Sequence, residues 1–132
     1  MFLQFFQQLF CFFLHVGETG SFRKPLRREE EQACFEALAA GDRSAREKLI
    51  LHNMRLVAHV IKKYGMPQPE QEELISIGTV GLVKAVDSFD CTKGARFATY
   101  ASKCINNEIL MNFRSQKKHA DQIYMGCLLY TS

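Results

Sequence analysis

Hydrophobic positions recur at helical spacing along most of the chain, and this pattern predicts about four helices after an apolar N-terminal stretch. Their approximate bounds are residues 28–40, 42–64, 70–88 and 97–117. Asp42 stands where it can cap the second of them. Gly and Pro do not recur at the intervals typical of strands. We therefore expect an all-α fold, a compact bundle of about four helices with an N-terminal amphipathic hydrophobic helix.

The apolar faces of the predicted helices indicate where the core lies. In the second helix they are Leu49, Leu56, Val57, Val60, Ile61 and Tyr64, and in the fourth Phe97, Ala101, Cys104, Ile105 and Ile109. Gly78 and Gly81 lie in the middle of the third helix, where each costs about 1 kcal/mol relative to Ala. The simplest compensation is the close approach of another helix.

Residues 1–16 are unusually rich in Phe, with six of the eleven Phe of the chain. The stretch is too short to cross a bilayer comfortably, and no cation precedes it as in a secretory signal. Gln4, Gln7, Gln8 and His15 form a narrow polar stripe on an otherwise apolar helix. This pattern favours a helix that lies in the membrane interface. The alternative is a hydrophobic arm packed on its own domain.

Composition limits the chemistry that the chain can perform. With 132 residues, 47% of them hydrophobic, the chain is long enough for one modest domain. Its five cysteines form no C-x-x-C pair, which argues against a zinc site and a disulfide framework. No residues suggest a nucleophile, a base and an oxyanion site. We therefore expect a binding protein without a metal, a cofactor or enzymatic activity.

Cations concentrate in one part of the chain, although the net charge is only +3. Glu108 is the one anion between Cys91 and Lys118. The six cations of that segment are Lys93, Arg96, Lys103, Arg114, Lys117 and Lys118. As a group they form a plausible phosphate-facing surface. The alternative is an ordinary solvated basic helix face.

The segment Glu72–Lys118 closely resembles region two of bacterial sigma factors, through GLVKAVDSFD followed by KGARFATYA. The preceding Ala39–Tyr64 matches the same domain upstream. Within the family, ISIGT, ATYAS-x-CI and NEILM are typical of the sporulation type. The Phe-rich start resembles the pro-sequence of sigma-K, the mother-cell factor, and sigma-E is the close relative. The run Arg114–Lys118 favours the sigma-K type.

The resemblance implies two binding surfaces and their partners. The third helix would dock on the clamp helices of the largest subunit of core RNA polymerase, through Glu73, Ser76, Ile77, Thr79 and Val83. The basic turn and the fourth helix would open promoter DNA and hold the non-template strand of the minus-ten element. The residues implied in DNA binding are Lys93, Arg96, Phe97, Tyr100, Lys103, Asn107, Arg114 and Lys117.

The implied DNA contacts differ in kind. Lys93 and Arg96 would meet phosphate, whereas Phe97 and Tyr100 would lie near unstacked bases. Asn107 occupies a position that reads a base pair in the family. An amide there can pair with adenine or bind a phosphate.

The sequence departs from the family at two places. Housekeeping sigma factors carry two adjacent Trp where this chain has Lys103 and Cys104, so promoter melting should be weaker. The domains that read other promoter elements would follow region two, and they are not in this sequence. Residues 127–132 resemble a translated sequencing-library end, so we expect a truncated gene with a non-native tail. The alternative is an ordinary natural tail.

These observations predict four segments: a membrane-associated pro-sequence (1–20), a linker (21–27), region two (28–126) and the tail. A processing protease would release the pro-sequence, and the product would act in the cytoplasm of the mother cell. Two other interpretations stay open at this point. One is an autonomous helix-turn-helix regulator, which needs a short second helix poised for the major groove. The other is a membrane-anchored helical interaction protein.

Overall fold

The computed structural model describes residues 3, 4, 7 and 23–131 of the chain. Five α-helices occur in residues 23–131, with a short 3₁₀ turn at Cys91–Lys93 before the last of them. Their bounds are α1 Arg28–Ala39, α2 Arg43–His52, α3 Met54–Lys62, α4 Gln68–Ser88 and α5 Phe97–Thr131. No strand occurs in these described residues, and the predicted all-α class is confirmed. The predicted pro-sequence lies outside them, apart from three positions.

The second predicted helix is divided into α2 and α3 at Asn53. The buried side chain of Asn53 donates from Nδ2 to the carbonyl oxygen of Leu49, over 2.7 Å. That carbonyl is the one an α-helix would offer to the Asn53 backbone N–H. The N–H instead donates to the Ile50 carbonyl, at 3.2 Å. A side-chain donor therefore replaces the backbone donor and interrupts the helix.

The fourth predicted helix is longer than expected and reaches Thr131 as α5. Residues 118–131 contain no Pro and only Gly126 as a weak helix former, so nothing in that segment stops the helix. This extension is exposed: Ile123, Tyr124 and Met125 all face solvent. The last fully buried residue of α5 is Ile109, while Phe113 still packs on Tyr64 and Gln116 contacts Glu73. Beyond these contacts α5 continues as a projecting helix.

The core lies where α4 packs on α5, with α2 and α3 against α4. The expectation that Gly78 and Gly81 admit another helix is confirmed. A Cβ atom added at Gly81 would stand 2.7 Å from the Cα of Ile105 and 2.9 Å from the carbonyl oxygen of Cys104. At Gly78 it would stand 2.9 Å from Cγ1 of Val57. Gly81 therefore sets how closely α4 and α5 approach, and Gly78 makes room for the Val57 side chain of α3.

The predicted apolar faces are mostly buried as expected. Leu49, Val57, Val60 and Ile61 are buried in α2 and α3, as are Phe97, Ala101, Ile105 and Ile109 in α5. Leu56, Tyr64 and Cys104 are only partly buried at the edge of this core. The core therefore fixes which face of α5 is left for other contacts.

Two polar interactions fix the helices at their ends. Asp42 caps α2 as predicted, because its carboxylate accepts from the backbone N–H of Ser44 at 3.0 Å and from its hydroxyl at 2.7 Å. These hydrogen bonds lower the pKa of Asp42. Arg46 of α2 forms two hydrogen bonds to Asp87, at 2.7 and 3.0 Å. This ion pair ties α2 to the last turn of α4, beside the basic turn.

Candidate functional site

The basic turn between α4 and α5 is held by its own side chains. Asp90 accepts from the backbone N–H of Thr92 at 2.9 Å and from its hydroxyl at 2.6 Å. Both bonds lower the pKa of the Asp90 carboxyl. Gly94 follows with φ of 73°, a left-handed conformation that Gly adopts without strain. The ordered turn leaves Lys93 and Arg96 exposed to solvent, where each can meet a phosphate.

Aromatic rings pack under this turn and connect it to α1. Phe35 lies 4.9 Å from Phe89 and 5.0 Å from Phe97, measured between ring centroids. Phe89 lies 5.2 Å from Phe97 in an edge-to-face arrangement. Phe97 is only 1% exposed. The prediction that Phe97 lies near an unstacked base is therefore corrected, since its ring is a core residue under the turn.

Tyr100 is a partly exposed aromatic residue beside this cluster. It is half-buried, and its ring packs 5.5 Å from that of Phe89. Its hydroxyl lies 2.8 Å from Oγ of Ser88, at the end of α4. Ser88 at the end of α4 and Phe89 directly after it therefore both hold the Tyr100 side chain. Ser88 could not be identified from the sequence, because this contact depends on how α4 and α5 pack.

Four predicted DNA-binding residues share one exposed face of α5. They are Lys103, Asn107, Arg114 and Lys117, all exposed. Their spacings of 4, 7 and 3 residues place them one above another on a helix, in line with Tyr100. Leu110, 37% exposed, completes the same line and was missed because it reads as a core position. We call the line from Tyr100 to Lys117 the α5 stripe.

The one anion of this basic segment is already paired. Both carboxylate oxygens of Glu108 accept from Nζ of Lys84 in α4, at 3.0 and 2.9 Å. The pair links α4 to α5 beside the α5 stripe. Lys84 therefore offsets the charge of the one carboxylate between Cys91 and Lys118 that would repel phosphate.

A hollow of about 380 Å³ opens between α1 and the basic turn. Its lining includes Phe35, Phe89 and Phe97, with Glu31 and Arg96 among the polar residues. Burial raises the pKa of the Glu31 carboxyl, and the nearby charge of Arg28 opposes that shift. The hollow thus combines buried aromatic rings with side chains of both charges.

The predicted polymerase-binding residues of α4 do not all reach the surface. Glu73 and Ser76 are exposed, while Ile77 and Val83 are half-buried. Thr79 is only 3% exposed, and its hydroxyl donates to the Ile75 carbonyl oxygen at 2.7 Å. The prediction that Thr79 contacts a partner is therefore corrected, because its side chain lies between α4 and the core.

Apolar side chains extend this α4 surface onto α5. Val80 is 40% exposed and Met111 is 55% exposed, and both line a groove of about 250 Å³ with Ile77 and Glu108. Glu73 lies nearby and accepts from Nε2 of Gln116, at 3.4 Å. Val80 and Met111 were missed by the sequence argument, since their spacing is also that of a core.

In residues 23–128 no group of side chains is arranged to hold a metal ion, and no described helix is long and apolar enough to cross a membrane.

The fold and these surfaces define a class of protein: an all-helical domain with a row of exposed cations on α5 and an apolar groove between α4 and α5. The family profile described as Sigma-70 region 2 matches residues 49–119, which is more than half of the chain. The chain therefore belongs to the sigma-70 family, and the part that it carries is region 2.

Several curated relatives agree with this assignment. The chain is 46% identical over 112 residues to the RNA polymerase sigma-28 factor of Bacillus thuringiensis subsp. kurstaki, covering 85% of this chain and 47% of that protein. It is 45% identical over 100 residues to the RNA polymerase sigma-K factor of Bacillus subtilis, covering 76% and 34%. The sigma-E factor of Clostridium acetobutylicum is 43% identical over 104 residues, with 79% and 44% covered. The chain thus spans less than half the length of these relatives.

Proposed function

We propose that this chain is the part of a sporulation-type sigma factor that binds core RNA polymerase and opens promoter DNA at the minus-ten element. The α5 stripe carries this proposal. One face of α5 presents Tyr100, Asn107 and three cations in line, while the opposite face is locked to α4 through Gly81 and Ile105. A rigid basic helix that begins with an accessible aromatic ring suits a junction between duplex and single strand.

The basic turn and the α5 stripe together contact different parts of the DNA in this proposal. Lys93 and Arg96 in the turn, together with Arg114 and Lys117, contact phosphates and fix the register of the DNA. Asn107 contacts a base edge in the duplex. Tyr100 stacks on an unpaired base of the non-template strand, where stacking is worth roughly 1–3 kcal/mol. Because Lys103 and Cys104 replace a Trp pair of the housekeeping factors, the melted state has fewer stacking contacts and depends more on sequence.

Core polymerase binds on the other exposed surface, in this proposal. Glu73 and Ser76 form its polar part, and the groove around Ile77, Val80 and Met111 forms its apolar part. Such a surface fits the clamp helices of the largest subunit, since apolar contacts at the centre and polar contacts at the rim are typical of protein interfaces. The chain has no catalytic role in this account.

A pull-down with purified core polymerase tests the proposal. The tagged full chain should retain core polymerase, and an equal amount of a tagged housekeeping sigma factor should compete for it. No retention would contradict the proposal and favour a membrane-anchored interaction protein or an autonomous helix-turn-helix regulator. The helix-turn-helix alternative has less support. It needs a short recognition helix after the turn, whereas the helix that follows the basic turn, α5, is 35 residues long.

We also propose that residues 1–20 are a pro-sequence of the sigma-K type, held at the membrane until a protease removes it. The support is the Phe-rich amphipathic sequence and the 45% identity to a sigma-K factor. The released protein then acts in the cytoplasm. Deleting residues 1–20 should move the chain from the vesicle fraction to the soluble fraction in a flotation assay. An unchanged distribution would contradict the membrane role.

A further inference from the structure

A chain of two hydrogen bonds joins Tyr100 to the end of α4. The hydroxyl of Ser88 donates to the carbonyl oxygen of Lys84 at 2.7 Å, and the hydroxyl of Tyr100 lies 2.8 Å from the same Ser88 oxygen. A serine hydroxyl has one hydrogen to donate. Because that hydrogen is directed to Lys84, the Tyr100 hydroxyl is the donor in the second bond.

The direction of this bond decides what Tyr100 can offer to DNA. Its hydroxyl hydrogen is used within the protein, so the phenol can only accept a further hydrogen bond. The Phe89 ring covers part of one side of the Tyr100 ring, at 5.5 Å. What remains is the accessible part of the ring, in a fixed orientation at the start of the α5 stripe.

We infer that Ser88 is a positioning residue for single-strand capture: it holds the Tyr100 ring in the orientation that an unstacked base meets. This inference rests on the proposed function and adds a residue to it. A side chain that is free to rotate must be ordered when a ligand binds, and this ordering weakens binding. The Ser88 bond and the Phe89 contact order the ring before DNA arrives. Lys84 takes part through its backbone, while its side chain pairs with Glu108.

The test measures how the full chain, loaded on core polymerase, binds a short fluorescent single-stranded DNA and a matched duplex. Ser88→Ala and Tyr100→Phe each remove one partner of the bond. Both variants retain an aromatic ring at position 100, and that ring is no longer held by the bond. Each should weaken single-strand affinity by roughly two- to tenfold, the factor expected for one ordinary hydrogen bond. The double variant should be no weaker than either single variant, because both remove the same bond. Ser88→Thr keeps a hydroxyl and should restore binding.

The duplex measurement separates positioning from a general structural effect. Duplex affinity should stay unchanged in Ser88→Ala, since phosphate contacts on α5 do not involve this bond. Equal losses for duplex and single strand, or additive losses in the double variant, would overturn the inference. Tyr100→Ala is the reference variant. If it weakens single-strand binding while Ser88→Ala and Tyr100→Phe do not, the positioning role is wrong and the proposed function stands. If Tyr100→Ala has no effect, or the chain fails to load on polymerase, the proposed function fails as well.

Discussion

Gly81 of α4 lies against the backbone of Ile105 in α5, with only 2.7 Å between the Ile105 Cα and the place where a Cβ on Gly81 would stand. The neighbouring carbonyl oxygen of Cys104 would be 2.9 Å away. Both neighbours are backbone atoms, so no side-chain rotation can make room. This contact fixes the distance between the helix proposed to bind polymerase and the helix proposed to bind DNA.

Gly81→Ala should therefore destabilise the fold, by about 1–3 kcal/mol in the free energy of unfolding, as is usual for overpacking a core. Urea unfolding followed by circular dichroism measures it. Gly78→Ala should cost less, because its nearest neighbours are the side-chain atoms Cγ1 of Val57 at 2.9 Å and Cγ2 of Ile105 at 3.3 Å rather than backbone atoms. Gly126→Ala is the matched control, since nothing lies within 4 Å of its added Cβ. Equal stability of Gly81→Ala and Gly126→Ala would contradict the close contact.

These glycines show how far the sequence alone could predict the fold. Two unfavourable residues in the middle of a helix pointed to a close neighbour, and the helical periodicity located most of the core. The break at Asn53 could not be predicted, because it depends on a side-chain bond to the Leu49 carbonyl oxygen. Helix periodicity placed Phe97 on the inner face of the fourth helix, and its burial agrees with that placement. The family resemblance instead placed Phe97 beside Tyr100 near unstacked bases, although only Tyr100 is partly exposed.

The candidate site was predicted less completely than the fold. Exposed cations can be found from the sequence, because charged side chains are rarely buried without a partner. Thr79 was misassigned because a buried threonine can satisfy its hydroxyl within its own helix, as it does with Ile75. Ser88 and Met111 gain their significance only from the packing of α4 on α5, which the sequence does not specify.

The stability of the basic turn should depend on pH, because the Asp90 carboxylate caps it. The bonds from Thr92 lower the pKa of Asp90 in the folded protein below its ordinary value of 3.8. The carboxylate therefore stabilises the turn fully above that ordinary value, and the contribution is lost as pH falls through the lowered pKa. Exchange protection of the Thr92 amide should fall over that acidic range. Asp90→Ala should lose protection at every pH, whereas Asp90→Asn keeps an acceptor and should retain part of it. Protection that is unaffected by Asp90→Ala would contradict the cap.

The proposed polymerase surface predicts a charge effect at Glu73. Glu73→Lys should weaken binding to core polymerase by roughly tenfold, equivalent to about 1.4 kcal/mol, if this carboxylate lies at the interface. The helical circular dichroism signal should not change, because Glu73 is exposed. Glu72→Lys is the control: it makes the same charge change on the same helix, about 100° around its axis. Equal affinity of both variants for core polymerase would mean that the interface lies elsewhere.

Arg114 should contribute to DNA binding through charge rather than through sequence. Arg114→Ala should weaken binding evenly across DNA sequences and should reduce the slope of log affinity against log salt by roughly one. Fluorescence anisotropy over a range of salt concentrations measures that slope. Arg55→Ala removes an equal charge from an exposed position on α3, away from the α5 stripe, and should leave the slope unchanged. A loss confined to one DNA sequence would instead indicate a base contact by Arg114.

The most direct test of the account is whether this domain opens a promoter through Tyr100. The chain is fused to the later DNA-binding domains of a sporulation-type relative and mixed with core polymerase on a promoter of that relative. Permanganate then detects unpaired thymines in the minus-ten element. We predict reactive thymines with the unmodified fusion and a clear loss with Tyr100→Ala, with core-polymerase binding unchanged. If the thymines react equally with Tyr100→Ala, or do not react with either protein, the proposed role of α5 in promoter opening is contradicted.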